Sequence, residues 1–262
     1  MKDWLFISDA HLSESDSSRQ ERLIDFLERN RSELFCLVIL GDLFEFWFGF
    51  PGYINPAYRP ICDTLRSLSR QGVRLIYLEG NHDFFMGSYF KDDLGCEVYP
   101  RSHLLELAGK KVFLSHGDGV NPGDVGYRLF RRLLKNRCVY AFIRMLGPAR
   151  AEKLKAFLSR HKWMHRPTFS GKEKGGAEEG FALKQFSRGA DVVILGHSHL
   201  PCRKTFVLQD RTCYYFNVGD WVENDSFLRY RPEQGFSLEV FDGHGRPESP
   251  VSCTDSTCSC KG

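Results

Sequence analysis

Arg74-Leu75-Ile76-Tyr77-Leu78-Glu79-Gly80-Asn81-His82-Asp83 begins as a strand and ends as something else. Residues 74–78 are almost continuously apolar, as a strand covered on both faces reads. Gly80-Asn81-His82-Asp83 serve no packing purpose after it. The same switch recurs along the chain. Asp9-Ala10-His11 follow an apolar run at 4–8, Gly41-Asp42 follow 35–40, His116-Gly117-Asp118 follow 111–115, and Gly196-His197-Ser198-His199 follow 192–195. Between the early strands the period changes to that of helices. Leu23, Ile24 and Leu27 lie in register within 17–30, and Ile61, Leu65 and Leu68 within 58–71. Strand, helix, strand, helix, strand predicts an α/β fold with parallel members and right-handed crossovers. In such sheets sites form beyond the carboxyl ends of the strands, so five polar clusters at five strand ends can meet in one place.

Farther along, residues 104–107 and 111–115 flank Gly109 as a hairpin, and 203–208, 213–218 and 236–241 read as strands. A long basic helix is expected over 125–146, stopped by Gly147-Pro148, with another to about 160. The Gly-, Lys- and Glu-rich stretch 166–180 reads as a loop before a helix at 181–187. The expected organisation is a core of 1–122 and 181–245, a helical cap inserted at 123–180 over the site, and a tail at 246–262 with too few apolar residues to pack, hence disordered.

With 262 residues, 42% of them hydrophobic and 26% charged, the chain suits a globular domain with an insertion. No apolar run nears the ~18 residues of a membrane-spanning helix. Asp3-Trp4-Leu5-Phe6 follow the first two residues with no basic-then-apolar leader, so a cytoplasmic location is expected. The nine cysteines are odd in number and scattered, reading as reduced thiols packed like small hydrophobes; Cys253, Cys258 and Cys260 lie in the tail. Residues 125–174 carry 14 Lys and Arg against 2 Glu, so a chain of net charge +3 holds a segment of +12 against −9 elsewhere. That asymmetry suggests an anionic partner or surface.

The polar clusters supply carboxylate, amide oxygen and imidazole and no thiolate, the donor set of manganese-, iron- or zinc-type sites. A carboxylate can bridge two cations, and two metals about 3.5–4 Å apart clamp the attacking and leaving oxygens of a displacement and activate water. Singly, Asp-x-His or Gly-Asp means little; the signal lies in the ordered set.

D-x-H, G-D, G-N-H-D, H-G-D and G-H-x-H, all present between residues 9 and 199, resemble the calcineurin-like metallophosphoesterase superfamily. The resemblance implies two mixed β-sheets packed together and flanked by helices, with two divalent cations at the strand ends. It assigns Asp9, His11 and His199 to one metal and Asn81, His116 and His197 to the other, with Asp42 as the bridge. His82 then contacts the phosphate, and Asp83 orients His82 by a hydrogen bond. Gly41-Asp42-Leu43-Phe44-Glu45-Phe46-Trp47-Phe48-Gly49, the spacing from His116 to Asp124 and Tyr127, and the closing Gly219-Asp220-Trp221 are similar to the UDP-2,3-diacylglucosamine diphosphatases of the lipid A pathway. Those enzymes use manganese at the cytoplasmic face of the inner membrane and release UMP and 2,3-diacylglucosamine 1-phosphate (lipid X). The implied substrate contacts are Asn81, His82, Asp124, Tyr127, Lys172, Lys174 and His197. The acyl chains fall to the cap, where Leu129, Phe130, Leu133, Leu134, Phe142, Ile143 and Leu146 can form an apolar face and Arg131, Arg132 and Lys135 can meet an anionic bilayer. Two positions depart from that family: His82 stands where its best-known members have arginine, and Leu200 where arginine is common. Two other readings stay open. One is a metallophosphoesterase for a cyclic nucleotide, a phosphoprotein or a nucleic acid end, although no stacking platform for nucleic acid is evident. The other is a non-catalytic scaffold, opposed by the filled ligand positions.

Overall fold

Alternation along the first strand, β1 (Asp3–Ile7), fixes the layering. Trp4 and Phe6 point to one face and Leu5 and Ile7 to the other, and all four are buried, so the strand needs a cover on each side. The computed structural model of the chain describes residues 2–87, 89–120, 136–148, 150, 151, 171–243, 258 and 259. After β1 come α1 (Ser17–Asn30), β2 (Leu34–Ile39), β3 (Trp47–Phe48), α2 (Arg59–Arg70), β4 (Arg74–Leu78), β5 (Asp83–Phe84), β6 (Glu97–Tyr99), β7 (Ser102–Leu107) and β8 (Lys110–Ser115). The insertion contributes α3 (Arg137–Leu146), and the chain returns through α4 (Gly171–Ser187). It closes with β9 (Val192–Leu195), β10 (Cys202–Leu208), β11 (Arg211–Asn217), β12 (Ser226–Arg231), β13 (Gly235–Val240) and β14 (Cys258–Ser259).

Two six-stranded sheets result, ordered β13-β12-β1-β2-β4-β6 and β14-β10-β11-β9-β8-β7. In the first, β1, β2, β4 and β6 run parallel and β12 runs antiparallel to both its neighbours. In the second, β8, β9 and β11 are parallel, with antiparallel partners at β7 and β10. Both are therefore mixed. Trp4, Phe6, Val38 and Ile76 of the first sheet bury against Leu105, Val112, Val192 and Ile194 of the second. On the outer face of the first sheet, Leu5, Ile7, Leu37 and Ile39 meet Leu23, Phe26 and Leu27 of α1 and Ile61, Leu65 and Leu68 of α2. The outer face of the second is covered by Ala182 and Phe186 of α4 on Val193, Leu195 and Phe206. Helices thus enclose a pair of sheets whose strand ends share one rim.

Local signals explain most boundaries. The side chain of Asp16 accepts from the Arg19 N–H at 3.3 Å and starts α1. Pro60 in the first turn of α2 needs no intrahelical donor there. β12 escapes a reading by apolar pattern because Arg229 sits in its centre, yet it is buried. Its guanidinium donates to Asp3 at 2.9 Å, Glu239 at 3.1 Å and Asn30 at 2.8 Å, so a charge is satisfied inside the sheet layer.

Two expectations need revision, and that of a disordered tail falls, Cys258 and Ser259 apart, on residues outside the described ones. The stretch 166–180 is not a loop throughout, for the backbone is helical from Gly171. Glycines cost a helix about 1 kcal/mol each, but Glu178 accepts from the Tyr215 hydroxyl at 2.7 Å and Glu179 pairs with Lys204, and these ties to the second sheet hold the turn in place. In the tail read as disordered, Cys258–Ser259 pair in parallel with Phe206 and Val207. Cys138, read as packed, is exposed, whereas Cys36, Cys62, Cys96 and Cys213 are buried free thiols. Of the basic stretch at 125–146 the structure describes α3; residues 121–135 and 152–170 lie outside the described residues. α3 rests on an aromatic floor beside the small β3–β5 sheet. The Tyr140 ring lies 5.4 Å from Phe48 and 4.2 Å from Phe85, and its hydroxyl donates to the Gly49 carbonyl at 3.1 Å. Among the described residues no helix is long and apolar enough to cross a membrane.

Phe6 fills the space between the sheets and is fully buried. Phe6→Ala is expected to cost about 3–5 kcal/mol, read as a lower urea midpoint with an unchanged slope.

Candidate metal centre

Ligand-type side chains leave the rim just beyond five strands: Asp9 and His11 after β1, Asp42 after β2, Asn81 to Asp83 after β4, His116 after β8, and His197 and His199 after β9. Their loops turn sharply. Asp9, His11, Asp42, His197 and His199 have φ of 52°, 43°, 53°, 70° and 61°, the left-handed region that disfavours residues with a Cβ. Such conformations cost roughly 1–3 kcal/mol each and persist only where the surroundings over-determine them. Here the loops are tied to one another: Asp9 N–H donates to Gly41 at 3.1 Å, and His11 N–H to the Asp42 carbonyl at 3.0 Å. Glycine is required at two points of closest approach. A Cβ on Gly80 would collide with the Asp42 carboxylate, and one on Gly196 with Ser8 and Asp9.

The seven predicted ligands are brought together. His11 Nε2 stands 3.7 Å from Asp9 Oδ1 and 3.9 Å from Asp42 Oδ2, and His199 Nε2 stands 3.5 Å from Asp9 Oδ1. On the other side His116 Nε2 is 3.4 Å from Asp42 Oδ2, 3.0 Å from Asn81 Oδ1 and 3.3 Å from His197 Nδ1. Asp42 Oδ2 therefore faces both groups. Donors held about 2.1 Å from one cation stand about 3.0 to 3.4 Å apart in octahedral or tetrahedral geometry, close to this spacing. His82 belongs with them, since one ligand atom each of His11, Asp42 and His82 lie within 4.8 Å of one another.

Whether the pocket fits a cation is tested by Asp9 Oδ1. It is completely buried and has no hydrogen-bond partner, while Oδ2 accepts from the Ser8 hydroxyl and, at 2.7 Å, from His197 N–H. A buried carboxylate oxygen aimed at two imidazole nitrogens is costly alone and well placed on a divalent ion. The imidazoles are also oriented for it. Nδ1–H of His116 donates to the Leu40 carbonyl at 2.7 Å, and Nδ1–H of His199 to Asp220 at 3.0 Å, leaving each Nε2 toward the centre.

Asp220, part of the Gly-Asp-Trp block, has a role that spacing did not disclose. Its Oδ1 accepts three backbone N–H groups, from Val222, Glu223 and Asn224, at 2.8–3.1 Å. Although burial works against its charge, hydrogen bonds from His199, Glu223 and Asn224 hold its carboxyl down at about 2. Ser8, Tyr77 and the Glu45 carbonyl are further supports that motif reading missed. Asp83 must be reassigned. Its carboxylate accepts from the N–H groups of Asp42 at 2.8 Å and Gly80 at 2.9 Å and from Tyr77 Oη at 3.0 Å, so it binds two ligand loops to each other. The His82 ring is oriented instead by the Glu45 carbonyl, which takes its Nδ1–H at 2.7 Å. Of the predicted substrate contacts, Asn81, His82 and His197 line this centre, while Asp124, Tyr127 and the side chains of Lys172 and Lys174 lie outside the described residues.

Electrostatics follow from crowding charges where water is excluded. Burial pushes the carboxyls of Asp9 and Asp42 up, but the His116 charge and the other imidazoles outweigh it and leave both lowered, Asp42 the more. Burial also works against His11 and His116, yet the carboxylates push them up to about 9 and about 10. His197, buried and beside His116, is pushed down to about 4. Protons on His11 and His116 thus balance the carboxylates when no cation does.

These raised values add stability to the metal-free fold that is complete below pH about 6.5 and is lost as pH climbs through about 9 to 10. A dication displaces the same protons. Calorimetric titration of Mn2+ near neutral pH in buffers of different ionisation enthalpy should show release of about two protons, with affinity rising with pH. Melting of the metal-free protein should fall between pH 7 and 10 while the loaded protein holds. Separately, Asp42→Ala should lower the metal content found by elemental analysis, whereas His82→Ala should leave it unchanged.

A family model described as "Calcineurin-like phosphoesterase" matches residues 4–201. A protein of Pseudomonas putida named UDP-2,3-diacylglucosamine hydrolase is 31% identical over 238 residues, covering 91% of this chain and 98% of its own. One of the same name from Pseudomonas fluorescens is 33% identical over 240 residues, covering 91% and 95%. Because the match runs from β1 through the loop after β9 and takes in each ligand cluster, the chain belongs to the calcineurin-like phosphoesterase family and is a metal-dependent hydrolase.

Proposed function

We propose that the chain hydrolyses the pyrophosphate bond of UDP-2,3-diacylglucosamine, giving UMP and 2,3-diacylglucosamine 1-phosphate. The observation that carries the chemistry is Asp42 Oδ2 lying between two sets of donors. The substrate is supported by relatives that carry that name and align over nine-tenths of this chain. Asp9, His11 and His199 would hold one divalent ion and Asn81, His116 and His197 the other, with Asp42 shared, and manganese suits this oxygen and imidazole set. Two such ions lower the pKa of water and neutralise charge at the phosphorus centre.

The remaining work belongs to side chains. His82, its Nδ1–H committed to Glu45, presents Nε2 to the phosphoryl or leaving oxygen and can hold a proton there. Unlike arginine it can release that proton, which suits a leaving phosphate oxygen. Asp83 keeps Gly80 and Asp42 at fixed separation, so the bridge and the His82 loop move as one. Exposed Phe142 and Met145 on α3 give the insertion an apolar face suited to acyl chains and to the cytoplasmic face of the inner membrane, where the substrate's anionic headgroup would lie. Asp124, Tyr127, Lys172 and Lys174 are proposed to complete the substrate site.

The test is Mn2+-dependent release of UMP from the diacylated substrate, followed beside the deacylated nucleotide sugar, a cyclic nucleotide panel and single-stranded DNA. Preference for the acylated compound of about tenfold or more is expected from burial of its chains. Equal turnover of both nucleotide sugars removes the lipid assignment, and turnover confined to the other panel members removes the substrate altogether. His82→Ala should lower kcat about 10²–10⁴-fold.

A further inference from the structure

We infer that Glu178, on the helix that brings the chain back from the insertion, positions the ligand loop at residues 197–199 through the amide of Asn217. The inference rests on the metal-centre reading above. Asn217 ends β11 opposite Leu195 of β9 and is fully buried. Its Nδ2 donates to the Gly196 carbonyl at 2.9 Å and to Ser198 Oγ at 2.8 Å, while its Oδ1 accepts from Gly219 N–H at 3.0 Å. Gly196 and Ser198 flank His197, and Gly219 leads into Asp220, which holds His199. One amide therefore fastens both sides of one ligand and the support of another. The amide works in one orientation only. Turned over, its oxygen would face the Gly196 carbonyl and its NH2 would face an N–H donor.

Glu178 faces the NH2 side. Its Oε1 lies 3.3 Å from Asn217 Nδ2, and its Oε2 accepts from the buried Tyr215 hydroxyl at 2.7 Å. A carboxylate there favours the orientation that the loop needs. That loop holds two residues, His197 and His199, in left-handed backbone that only a determined surrounding sustains. Supports of this kind tune metal affinity by about 10–100-fold. The neighbouring Glu179 anchors the same helix to Lys204 of β10 without approaching the loop, and so separates helix anchoring from loop positioning.

Mn2+ is titrated into the full-length chain by calorimetry and electron paramagnetic resonance, with turnover of an aryl phosphodiester measured alongside. Glu178→Ala should weaken Mn2+ binding about tenfold at both ions, because His197 and His199 serve one each. Its kcat should fall at limiting Mn2+ and recover with excess, with KM unchanged. Glu178→Gln, whose carbonyl can accept from Asn217 while its NH2 donates to the Tyr215 oxygen, should stay within about threefold of wild type. Glu179→Ala should change melting temperature and leave Mn2+ affinity alone. If the alanine variant does not fold, Glu178→Met, which keeps length and removes both acceptors, takes its place. Wild-type Mn2+ affinity in Glu178→Ala or Glu178→Met overturns the inference whatever their melting temperatures, as does an equal loss in Glu179→Ala. A wild-type chain that takes up no Mn2+ removes the metal centre and this inference together, whereas a wrong substrate leaves the titrations untouched.

Discussion

Two fully buried carboxylates, Asp9 and Asp42, stand at the meeting point of five loops, and the arrangement of those loops answers to their charge. A carboxylate in such a place must be met by hydrogen bonds and opposite charge. The chain meets it on every side. Asp42 Oδ1 takes the His82 N–H at 2.8 Å, Asp9 Oδ2 takes Ser8 and His197, and the remaining oxygens turn to imidazoles. The partners follow β1 and β4 of the first sheet and β8 and β9 of the second, so satisfying the two charges also aligns both sheets. The left-handed residues and the crowded glycines are the backbone consequence of bringing so many loops within reach of two side chains.

This demand separates what the sequence made legible from what it did not. Apolar runs ending in polar clusters disclosed β1, β2, β4, β8 and β9 and the five clusters that meet at the rim, because a strand that changes character so abruptly leaves a chemical mark at its end; the choice of seven ligand positions within them came from the family resemblance. α1 and α2 were legible from three residues each in register. The supports were not. Asp83 reads as one more active-site acid, yet its carboxylate is spent on backbone N–H groups and a tyrosine, which no spacing rule encodes. Asp220 depends on the local turn around Val222 to Asn224, and β12 hides behind a buried arginine paired over long sequence distances. The helix at Gly171 forms against its glycine content because Glu178 and Glu179 find partners on a sheet contributed by residues 37 and 25 positions later. For Asp83, β12 and the helix at Gly171 a tertiary hydrogen bond overrode local composition, and for Asp220 a local turn set the role that spacing concealed.

The electrostatic state of the centre follows from the same geometry. Without cations the carboxylates recruit protons onto His11 and His116, while His197 remains neutral against the charge of its neighbour. Protons on the imidazoles thus take the charge-balancing part that a cation would play in the same space. His199 illustrates the division of labour. Asp220 fixes one ring nitrogen and the centre receives the other, so the ring holds one pose throughout.

The aromatic floor under α3 ties the insertion to the catalytic rim by an unexpected route. Phe48 and Phe84 belong to the small sheet that grows directly out of the Asp42 and His82 loops, and Tyr140 of the insertion lies upon it. Excising the insertion to obtain a minimal hydrolase would therefore uncover a greasy platform contiguous with the reaction chamber, inviting self-association at the very mouth of the enzyme.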